Sequence, residues 1–437
     1  MVNLAVRPAR LHSVSVPSAG AMGALVVTAF CLVIAGPNLP TALLPAYRAT
    51  FGMTPFGLSL LFSTYLVLLV PVLVLCTRPA LRARAGTLLP LGLAMAIAAD
   101  LLMAGSSSVA MLVVGRALSG VSVAVATGAA AALMVSLVGE RGRGSVATGN
   151  IAGALLGTAA AVALAQLGDG PVIYSVHAGI TAAVLIALVA ALVIRRSDRP
   201  AAADPAVVAA VDAAVAGAGP DTGAGAGNPS VTPPRVPRRH VVLGTAVGAV
   251  GWAIPGLVTG LVPALLRDFT GPAAVVVATV PALLLLGTAW GLQVLARRPL
   301  LRWLVGYELT VGTALAAVGL ILLTVGAFIA SVPVVYLACI VAAGGPALGY
   351  RGGMVLLTRG LDPARQGATT SRYAASSYGF AAVVVVGAGA LGAIGGMVTA
   401  VAVGAGLLAL AAIVLLCCIL VTESPRPARR RVRSSAG

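Results

Sequence analysis

Four ionisable residues lie within long apolar stretches of this chain: Asp100, Arg116, Glu308 and Arg351. A charge at the centre of a membrane helix costs about 2.5–3.5 kcal/mol by insertion scales, so each of them needs a partner or a water-filled cavity. With a rise of about 1.5 Å per residue, Asp100 and Arg116 would lie at similar depth on consecutive helices, and Glu308 and Arg351 would do so near the opposite face. The spacing therefore predicts two ion pairs, Asp100 with Arg116 and Glu308 with Arg351.

Each acid also has a simpler interpretation. Asp100 lies near the end of its apolar stretch, where water could reach it, and Glu308 could pair with Arg298 or Arg302 in the preceding loop. If the acids are functional, the natural role for a membrane carboxylate is proton transfer. We therefore predict Asp100 and Glu308 as proton-coupling residues, with Arg116 as the counter-charge of Asp100.

Further polar residues in the apolar stretches could bind a small molecule. Besides Arg116 and Arg351, which favour an anionic or zwitterionic ligand, the predicted substrate-binding residues are Asn38, Tyr65, Tyr350 and Tyr378. Asn38 stands between two prolines that interrupt a helix and free backbone groups. Asn150, Gln293 and His177 are weaker candidates, and we expect His177 to be a packing residue.

The composition indicates a membrane protein. The chain is 59% hydrophobic and 9% charged, with a mean hydropathy of +1.06, whereas soluble domains are about 25% charged. A membrane helix needs about 20 apolar residues. Twelve such stretches predict an all-α protein with twelve transmembrane helices, near 22–46, 57–77, 87–104, 109–137, 146–167, 172–194, 241–266, 273–296, 303–328, 332–357, 367–392 and 397–421.

Charge placement predicts the orientation of these helices. The arginines gather in the even-numbered loops, in the central stretch and in the C-terminal tail, so by the positive-inside rule those loops and both termini face the cytoplasm across the cell membrane. The same placement accounts for the net charge of +17 without nucleic acid as a partner. The five cysteines show no metal-ligand spacing, and we expect neither a metal nor a cofactor.

Two patterns recur in the same order along the chain. P-x-L-x-T-x-L-x-P occurs at 37–45 and again at 255–263, and R-P-x-L-R-x-x-x-G occurs at 78–86 and again at 298–306. A constant offset of about 220 residues points to a duplicated unit of the kind that builds transporters with a site between their halves. We predict one six-helix bundle over 1–197, a flexible linker over 198–238, rich in Ala, Gly and Pro, and a second bundle over 239–437.

These features resemble the major facilitator superfamily over nearly the whole chain. The two loop repeats are similar to the family's arginine-rich loop signature, although both lack its aspartate, and this similarity implies a gating role for Arg78, Arg82, Gly86, Arg298, Arg302 and Gly306. The segment from Gly115 to Gly120 resembles the family's R-x-x-x-G element, which places Arg116 in it. The glycines at 149, 153 and 157 are similar to a motif of drug/proton antiporters, and such spacing is equally common in ordinary helix packing.

The resemblance implies a secondary transporter that works by alternating access. A nucleotide-binding loop of the G-x-x-x-x-G-K-[ST] type is impossible without lysine. We therefore expect a proton gradient to drive export of a small organic molecule by a monomer in contact with membrane lipids. One alternative is an importer, either symporter or uniporter, of a small anionic or zwitterionic solute held by Arg116 and Arg351. A lesser alternative is an enzyme or sensor on the same fold, which would need a cluster of catalytic groups or an output domain.

Overall fold

The computed structural model describes residues 17–43, 47, 50–78, 84–142, 144–165, 170–197, 237–271, 275–296, 306–359, 361 and 363–423. In the first half of the chain, the described residues form six long helices: α1 Ala19–Ala35, α2 Pro55–Leu75, α3 Ala85–Ala104, α4 Val109–Val138, α5 Ser145–Ala165 and α6 Gly170–Ser197. Each matches a predicted apolar stretch, so the hydropathy pattern located the first six helices correctly.

The second half repeats this arrangement. Its helices are α7 Arg238–Thr270, α8 Val275–Leu295, α9 Glu308–Phe328 and α10, which runs as Val332–Ala342, a π-helical turn Gly345–Gly349 and Tyr350–Thr358. A last helical run, Pro363–Glu423, is broken at Gly396, whose φ of 81° lies in the left-handed region that glycine tolerates. We therefore divide it into α11, residues 363–395, and α12, residues 397–423.

The break at Gly396 is a reversal of the chain and not a gentle bend. A Cβ added at Gly392 would meet the side chains of Met397 and Ala400, so the segments before and after the break pack against each other. The described residues contain eleven helical segments that are long and apolar enough to cross a membrane. The last of them has 58 residues, more than twice the length of one crossing. The break at Gly396 divides this last segment into two parts, each long enough for one crossing, and the chain is a multi-pass membrane protein.

The first copy of the proline repeat changes the type of helix. After α1, residues Gly36–Ala42 form a 3₁₀ helix that contains Pro37 and Pro40. The second copy behaves differently, because Pro255 and Pro263 lie inside the continuous helix α7. The duplicated sequence therefore interrupts α-helical geometry in one half only. Pro45 lies outside the described residues.

Small residues set how closely the helices approach. A Cβ at Gly153 would overlap the carbonyl oxygen of Cys31, and one at Gly157 would overlap that of Ala35, so α5 packs directly on the backbone of α1. In the second half, Gly312 of α9 approaches the backbone of Gly349 in the π-helical turn of α10 in the same way. The glycine spacing of α5 thus serves close helix packing in this fold.

We call α1–α6 the first half and α7–α12 the second half. The two halves meet along α2 and α11, α4 and α11, and α5 and α8. Contacts between Gly128 and Ser371, and between Gly379 and Val70, place α11 at the centre of this interface. The predicted linker lies outside the described residues up to 236, so the boundary between two independent bundles stays a prediction.

Candidate functional site

A cavity lies between the two halves. Its free volume is about 40 Å³, room for only a few water molecules. Seven helices contribute to its wall, and the lining includes both copies of the proline repeat: Ile34, Pro37, Asn38, Tyr65, Leu66, Val123, Asn150, Ala154, Trp252, Pro255, Gly256, Thr259, Leu286, Tyr378 and Ala381. None of these described lining residues carries a charge.

Three of the predicted substrate-binding residues line this cavity, namely Asn38, Tyr65 and Tyr378. Tyr350 does not line it. Its ring stacks against Trp252 with centroids 4.8 Å apart, and its carbonyl oxygen accepts a hydrogen bond of 2.7 Å from the hydroxyl of Tyr373. Tyr350 therefore contacts the cavity wall at Trp252, and its side chain also interacts with Asn150, which lines the cavity.

A pair of hydrogen bonds joins the halves inside the cavity. The Nδ2 atom of Asn150 on α5 donates to the hydroxyl of Tyr378 on α11 over 3.0 Å, and that hydroxyl donates to Oδ1 of Asn150 over 3.1 Å. Both side chains are buried, with 4% and 3% of their surface exposed. Opening the cavity between α5 and α11 requires these two bonds to break.

Arg116 is fully buried and binds backbone instead of a carboxylate. Its Nη1 donates to the carbonyl of Pro37 over 2.5 Å, and its Nη2 donates to that of Phe62 over 2.8 Å, with a longer bond of 3.4 Å from Nε to Leu61. The guanidinium carbon also lies 4.6 Å from the centre of the Tyr65 ring, within range of a cation–π interaction. The predicted pairing of Arg116 with Asp100 is therefore wrong.

The geometry of the 3₁₀ segment explains why the Pro37 carbonyl is available. In a 3₁₀ helix the carbonyl of residue i accepts from the N–H of residue i+3, and for Pro37 that residue is Pro40, which has no N–H. Gly120 allows the approach from the other side, because a Cβ there would overlap the carbonyl oxygen of Tyr65. The R-x-x-x-G element thus brings α4 against α2 and lets Arg116 link α1 with α2.

Asp100 pairs with His177 of α6. The Nδ1 atom of His177 lies 2.6 Å from Oδ2 of Asp100, and Nε2 lies 3.1 Å from the carbonyl oxygen of Leu32 on α1. A Cβ at Gly36, where the 3₁₀ segment begins, would lie 3.5 Å from the imidazole ring. The pair therefore contacts α1 at the point where its helical geometry changes.

Asn38 holds the same segment together. Its Nδ2 donates to the carbonyl of Ile34, one turn earlier in the last turn of α1, over 2.8 Å. Two carbonyls near the proline break, those of Ile34 and Pro37, thus receive side-chain donors, from Asn38 and Arg116. The 3₁₀ segment and the end of α1 are therefore contacted by polar side chains that lie far apart in the sequence: Asn38 in the segment itself, Arg116 on α4 and His177 on α6.

The second predicted ion pair is confirmed. Nη1 of Arg351 on α10 lies 2.9 Å from Oε1 of Glu308, the first residue of α9. Gly352 makes the approach possible, because a Cβ there would lie 3.2 Å from that of Glu308. Neither residue lines the central cavity. The pair links α9 with α10 at one end of the second half.

The predicted loop residues are only partly described. Arg78 is exposed just after α2, Gly86 lies in the first turn of α3, and Gly306 precedes α9 with a φ of 108° that favours glycine. Arg82, Arg298 and Arg302 lie outside the described residues. The gating role of this set therefore stays a prediction.

The sequence reasoning underestimated His177 and did not identify Trp252. His177 lies at a depth from the start of α6 that is similar to the depth of Asp100 from the end of α3. The depth argument that joined Asp100 to Arg116 therefore applies equally to His177. Trp252 carried no signal, because one aromatic residue in an apolar helix is ordinary. Gln293, another weak candidate, donates to the carbonyl of Ala347 in the π-helical turn over 3.0 Å and lies away from the cavity lining.

The described residues contain no group of three His, Cys, Asp or Glu side chains that could hold a metal ion. The cavity, the linked amide and phenol, and the buried pairs instead form a polar network around one apolar interface.

Comparison with known proteins identifies relatives of this architecture. A crystal structure of the human organic anion transporter MFSD10 (TETRAN) is similar with a TM-score of 0.63 and 14% sequence identity, covering 91% of this chain and 100% of that one. A crystal structure of the nucleoside transporter NupG is similar with a TM-score of 0.58 and 11% identity, covering 92% of this chain and 100% of that one. No curated protein matches the sequence.

The family assignment rests on the sequence match. The model of the Major Facilitator Superfamily matches residues 23–316, which is more than half of the chain and includes all six helices of the first half. The similar solved structures have the same fold over nearly their full length. The chain belongs to the Major Facilitator Superfamily.

Proposed function

We propose that this membrane transporter exports a small, uncharged organic molecule in exchange for protons, with the buried pair of Asp100 and His177 as the proton site. The observation that carries the proposal is the contact of both imidazole nitrogens with acceptor groups, Asp100 on one side and the Leu32 carbonyl on the other. In this proposal both termini face the cytoplasm, as the arginine distribution predicts, and one chain is the working unit.

The hydrogen bonds define how many protons the pair holds. The Leu32 carbonyl can only accept, so Nε2 of His177 must carry a hydrogen. The short contact between Nδ1 and Asp100 also needs a hydrogen, which belongs either to the imidazole or to the carboxyl group. In both arrangements the pair has no net charge, which is the form that a membrane interior favours.

Loss of that proton cannot leave both contacts intact. A neutral imidazole has one N–H, and an ionised Asp100 and the Leu32 carbonyl would both require it. Either the bond from His177 to Asp100 or the bond to Leu32 must then break. Because Leu32 and Gly36 precede the 3₁₀ segment, deprotonation would release α1 where Pro37 and Asn38 line the cavity. This couples proton content to the shape of the cavity.

Other titratable groups lie near this pair. Tyr174 is one turn before His177 on α6 and interacts with Asp100, and its hydroxyl lies 2.5 Å from that of Tyr47. Arg116 interacts with the same two tyrosines. Tyrosine and arginine keep their protons near neutral pH, so the pair of Asp100 and His177 is the group that exchanges protons in this part of the protein.

The lining of the cavity supports the solute class and the direction. Among its described residues there is no charged side chain to bind an ion, which argues against an anionic substrate held by Arg116 and Arg351. Uncharged organic molecules that are mostly apolar enter cells across the bilayer unaided, so a proton-driven carrier for them is most useful as an exporter. The substrates named for the two similar structures, organic anions and nucleosides, are small organic molecules as well.

The test uses purified protein in liposomes. Counterflow with a panel of uncharged organic solutes identifies one that exchanges, and its accumulation is then measured with an acidic lumen. One pH unit stores about 1.4 kcal/mol per proton, so one-for-one antiport supports about tenfold accumulation. We expect Asp100→Asn to keep counterflow and to lose accumulation, because an asparagine can bond to His177 without an exchangeable proton.

Asp268→Asn serves as the control, because Asp268 is an exposed acid at the end of α7 and its replacement should leave accumulation unchanged. Proton-driven accumulation that persists in Asp100→Asn would show that the pair is not the proton site. Accumulation that requires an acidic exterior would instead identify a proton symporter and reverse the proposed direction.

A further inference from the structure

We propose that Asn150 recognises the transported solute through a planar edge that carries a hydrogen-bond donor next to an acceptor, as in a lactam or an imide. The inference rests on the proposed function only in taking the central cavity as the substrate site. It names a class of substrate, uncharged planar rings with such an edge, and one residue that selects it.

The starting point is the unusual partner of the Asn150 amide. The hydroxyl oxygen of Tyr378 lies 3.0 Å from its Nδ2 and 3.1 Å from its Oδ1, and the side chain of Tyr350, also on the second half, interacts with the same amide. Hydrogen bonds prefer angles above about 150°, and one oxygen between two adjacent amide atoms cannot be aligned with both. The amide edge is therefore occupied in the closed state by a partner that fits it imperfectly.

A donor–acceptor edge on a solute fits the same amide better. An asparagine side chain offers a carbonyl oxygen and an NH₂ group side by side, and it binds the adjacent donor and acceptor of adenine through two parallel bonds. A lactam or imide presents the same alternation on one edge. If such an edge replaces the Tyr378 hydroxyl, the two bent hydrogen bonds to one oxygen are replaced by two aligned hydrogen bonds to two separate atoms of the solute.

The surroundings of Asn150 favour a planar and uncharged ring. Trp252, whose ring lies 5.3 Å from that of Tyr378, and Tyr65 line the same cavity, so aromatic side chains surround the space beside the amide. The cavity of about 40 Å³ is too small for a ring while the halves are closed. Separation of Asn150 from Tyr378 moves α5 away from α11, so the step that exposes the amide edge also makes room.

Two other described amides, those of Asn38 and Gln293, are already engaged with backbone. Nδ2 of Asn38 donates to the Ile34 carbonyl beside the proline break. Nε2 of Gln293 donates to the Ala347 carbonyl, outside the cavity lining. Their partners cannot leave without disturbing a helix. Asn150 differs because its partner is a side chain on the opposite half, which moves away when the cavity opens.

The experiment compares two ligands that differ at the edge alone. 2-Quinolone has an N–H beside a carbonyl on a planar ring, and N-methyl-2-quinolone lacks the donor. Binding is measured by the shift in thermal unfolding of the full-length protein in detergent at a single pH. Because one matched bidentate contact contributes about 5- to 150-fold in discrimination, we expect 2-quinolone to bind more tightly than its N-methyl analogue by a factor in this range.

Two variants give effects of opposite sign. Asn150→Ala should bind both ligands equally, with 2-quinolone weakened to the level of its analogue. Tyr378→Phe removes the hydroxyl that competes for the amide edge, so it should bind 2-quinolone about 2- to 12-fold more tightly, the contribution of an ordinary hydrogen bond, and the analogue without such a gain. Gln293→Leu, which removes a buried amide outside the cavity lining, should keep the preference for 2-quinolone.

A purely structural link between the halves predicts a different pattern. Loss of either partner would loosen the same contact, so Asn150→Ala and Tyr378→Phe would shift the binding of both ligands in the same direction. Three results would overturn the inference. The first is such a shift in the same direction, the second is equal binding of the two ligands by the unmodified protein, and the third is binding of neither ligand. The assay uses no membrane and no gradient, so failure of proton exchange at Asp100 would leave its outcome unaffected.

Discussion

The buried guanidinium of Arg116 leads us to expect that the charge-conserving Arg116→Lys destabilises the protein more than Arg116→Met does. Arg116→Lys keeps the charge in the membrane, but a single ammonium cannot reach carbonyls on both α1 and α2. It loses at least one strong bond, to Pro37 or to Phe62, worth about 1.5–3 kcal/mol for a charged donor. It also loses the flat stacking on Tyr65, which contributes about 2 kcal/mol at a desolvated site. We expect a loss of about 3–5 kcal/mol in the free energy of unfolding.

Arg116→Met should be milder because it removes the buried charge altogether. The carbonyls of Leu61 and Phe62 keep the N–H donors of the continuous helix α2. The Pro37 carbonyl alone is left without a donor, because Pro40 cannot provide one, and a buried unsatisfied group costs about 1–3 kcal/mol. The expected order of stability is therefore unmodified protein, then Met, then Lys.

A second substitution tests the cause directly. Pro40→Ala restores an N–H three residues after Pro37, so in the Arg116→Met background it should recover about 1–2 kcal/mol, whereas in the unmodified protein Pro37 already has a donor. Pro71→Ala is the matched control, because Pro71 lies inside α2 and away from these carbonyls. The free energy of unfolding is measured by denaturant titration in mixed micelles. A Met variant less stable than the Lys variant, or no recovery from Pro40→Ala, would refute the argument.

Two further predictions concern contacts that hold helices together. Glu308→Gln leaves the half-buried Arg351 with a neutral partner, so we expect a loss of about 1–3 kcal/mol that Arg351→Met in the same chain partly restores, as checked by thermal unfolding at fixed pH. Gly153→Ala places a methyl group on the carbonyl of Cys31, where only backbone could yield, and should cost about 1–3 kcal/mol by the same assay. Gly179→Ala, which meets nothing within 4 Å, should be neutral or stabilising. Equal effects of the two glycine substitutions would contradict the close packing of α5 on α1.

The positions of the helices followed from local properties of the sequence. Apolar length located the first ten helices and the long last run. The glycine cluster at 392–396 located the reversal between α11 and α12, because a φ of 81° at Gly396 is open to glycine without strain. The depth argument also succeeded for Glu308 and Arg351, which lie on consecutive helices that pack closely through Gly352. In these cases the information lies within one helix or between neighbours.

The same depth argument failed for Asp100 and Arg116, and the reason is geometric. Distance along the chain gives the height of a residue in the membrane, but it does not give the direction in which the side chain points around the helix axis. The side chain of Asp100 points toward His177 on α6 and toward α1. The side chain of Arg116 points toward the 3₁₀ segment after α1 and toward α2. Two residues at one height on adjacent helices therefore have separate partners.

The amino-acid pattern was sufficient for an all-helical multi-pass membrane protein and for the family to which it belongs, because hydropathy, glycine and proline act over a few residues. The contacts that could perform transport depended on packing over long separations: Asp100 with His177, Arg116 with the carbonyl that Pro40 leaves free, and Asn150 with Tyr378 across the two halves. Close approach at glycines sets the rotation and spacing of the helices, and those in turn decide which buried polar groups meet.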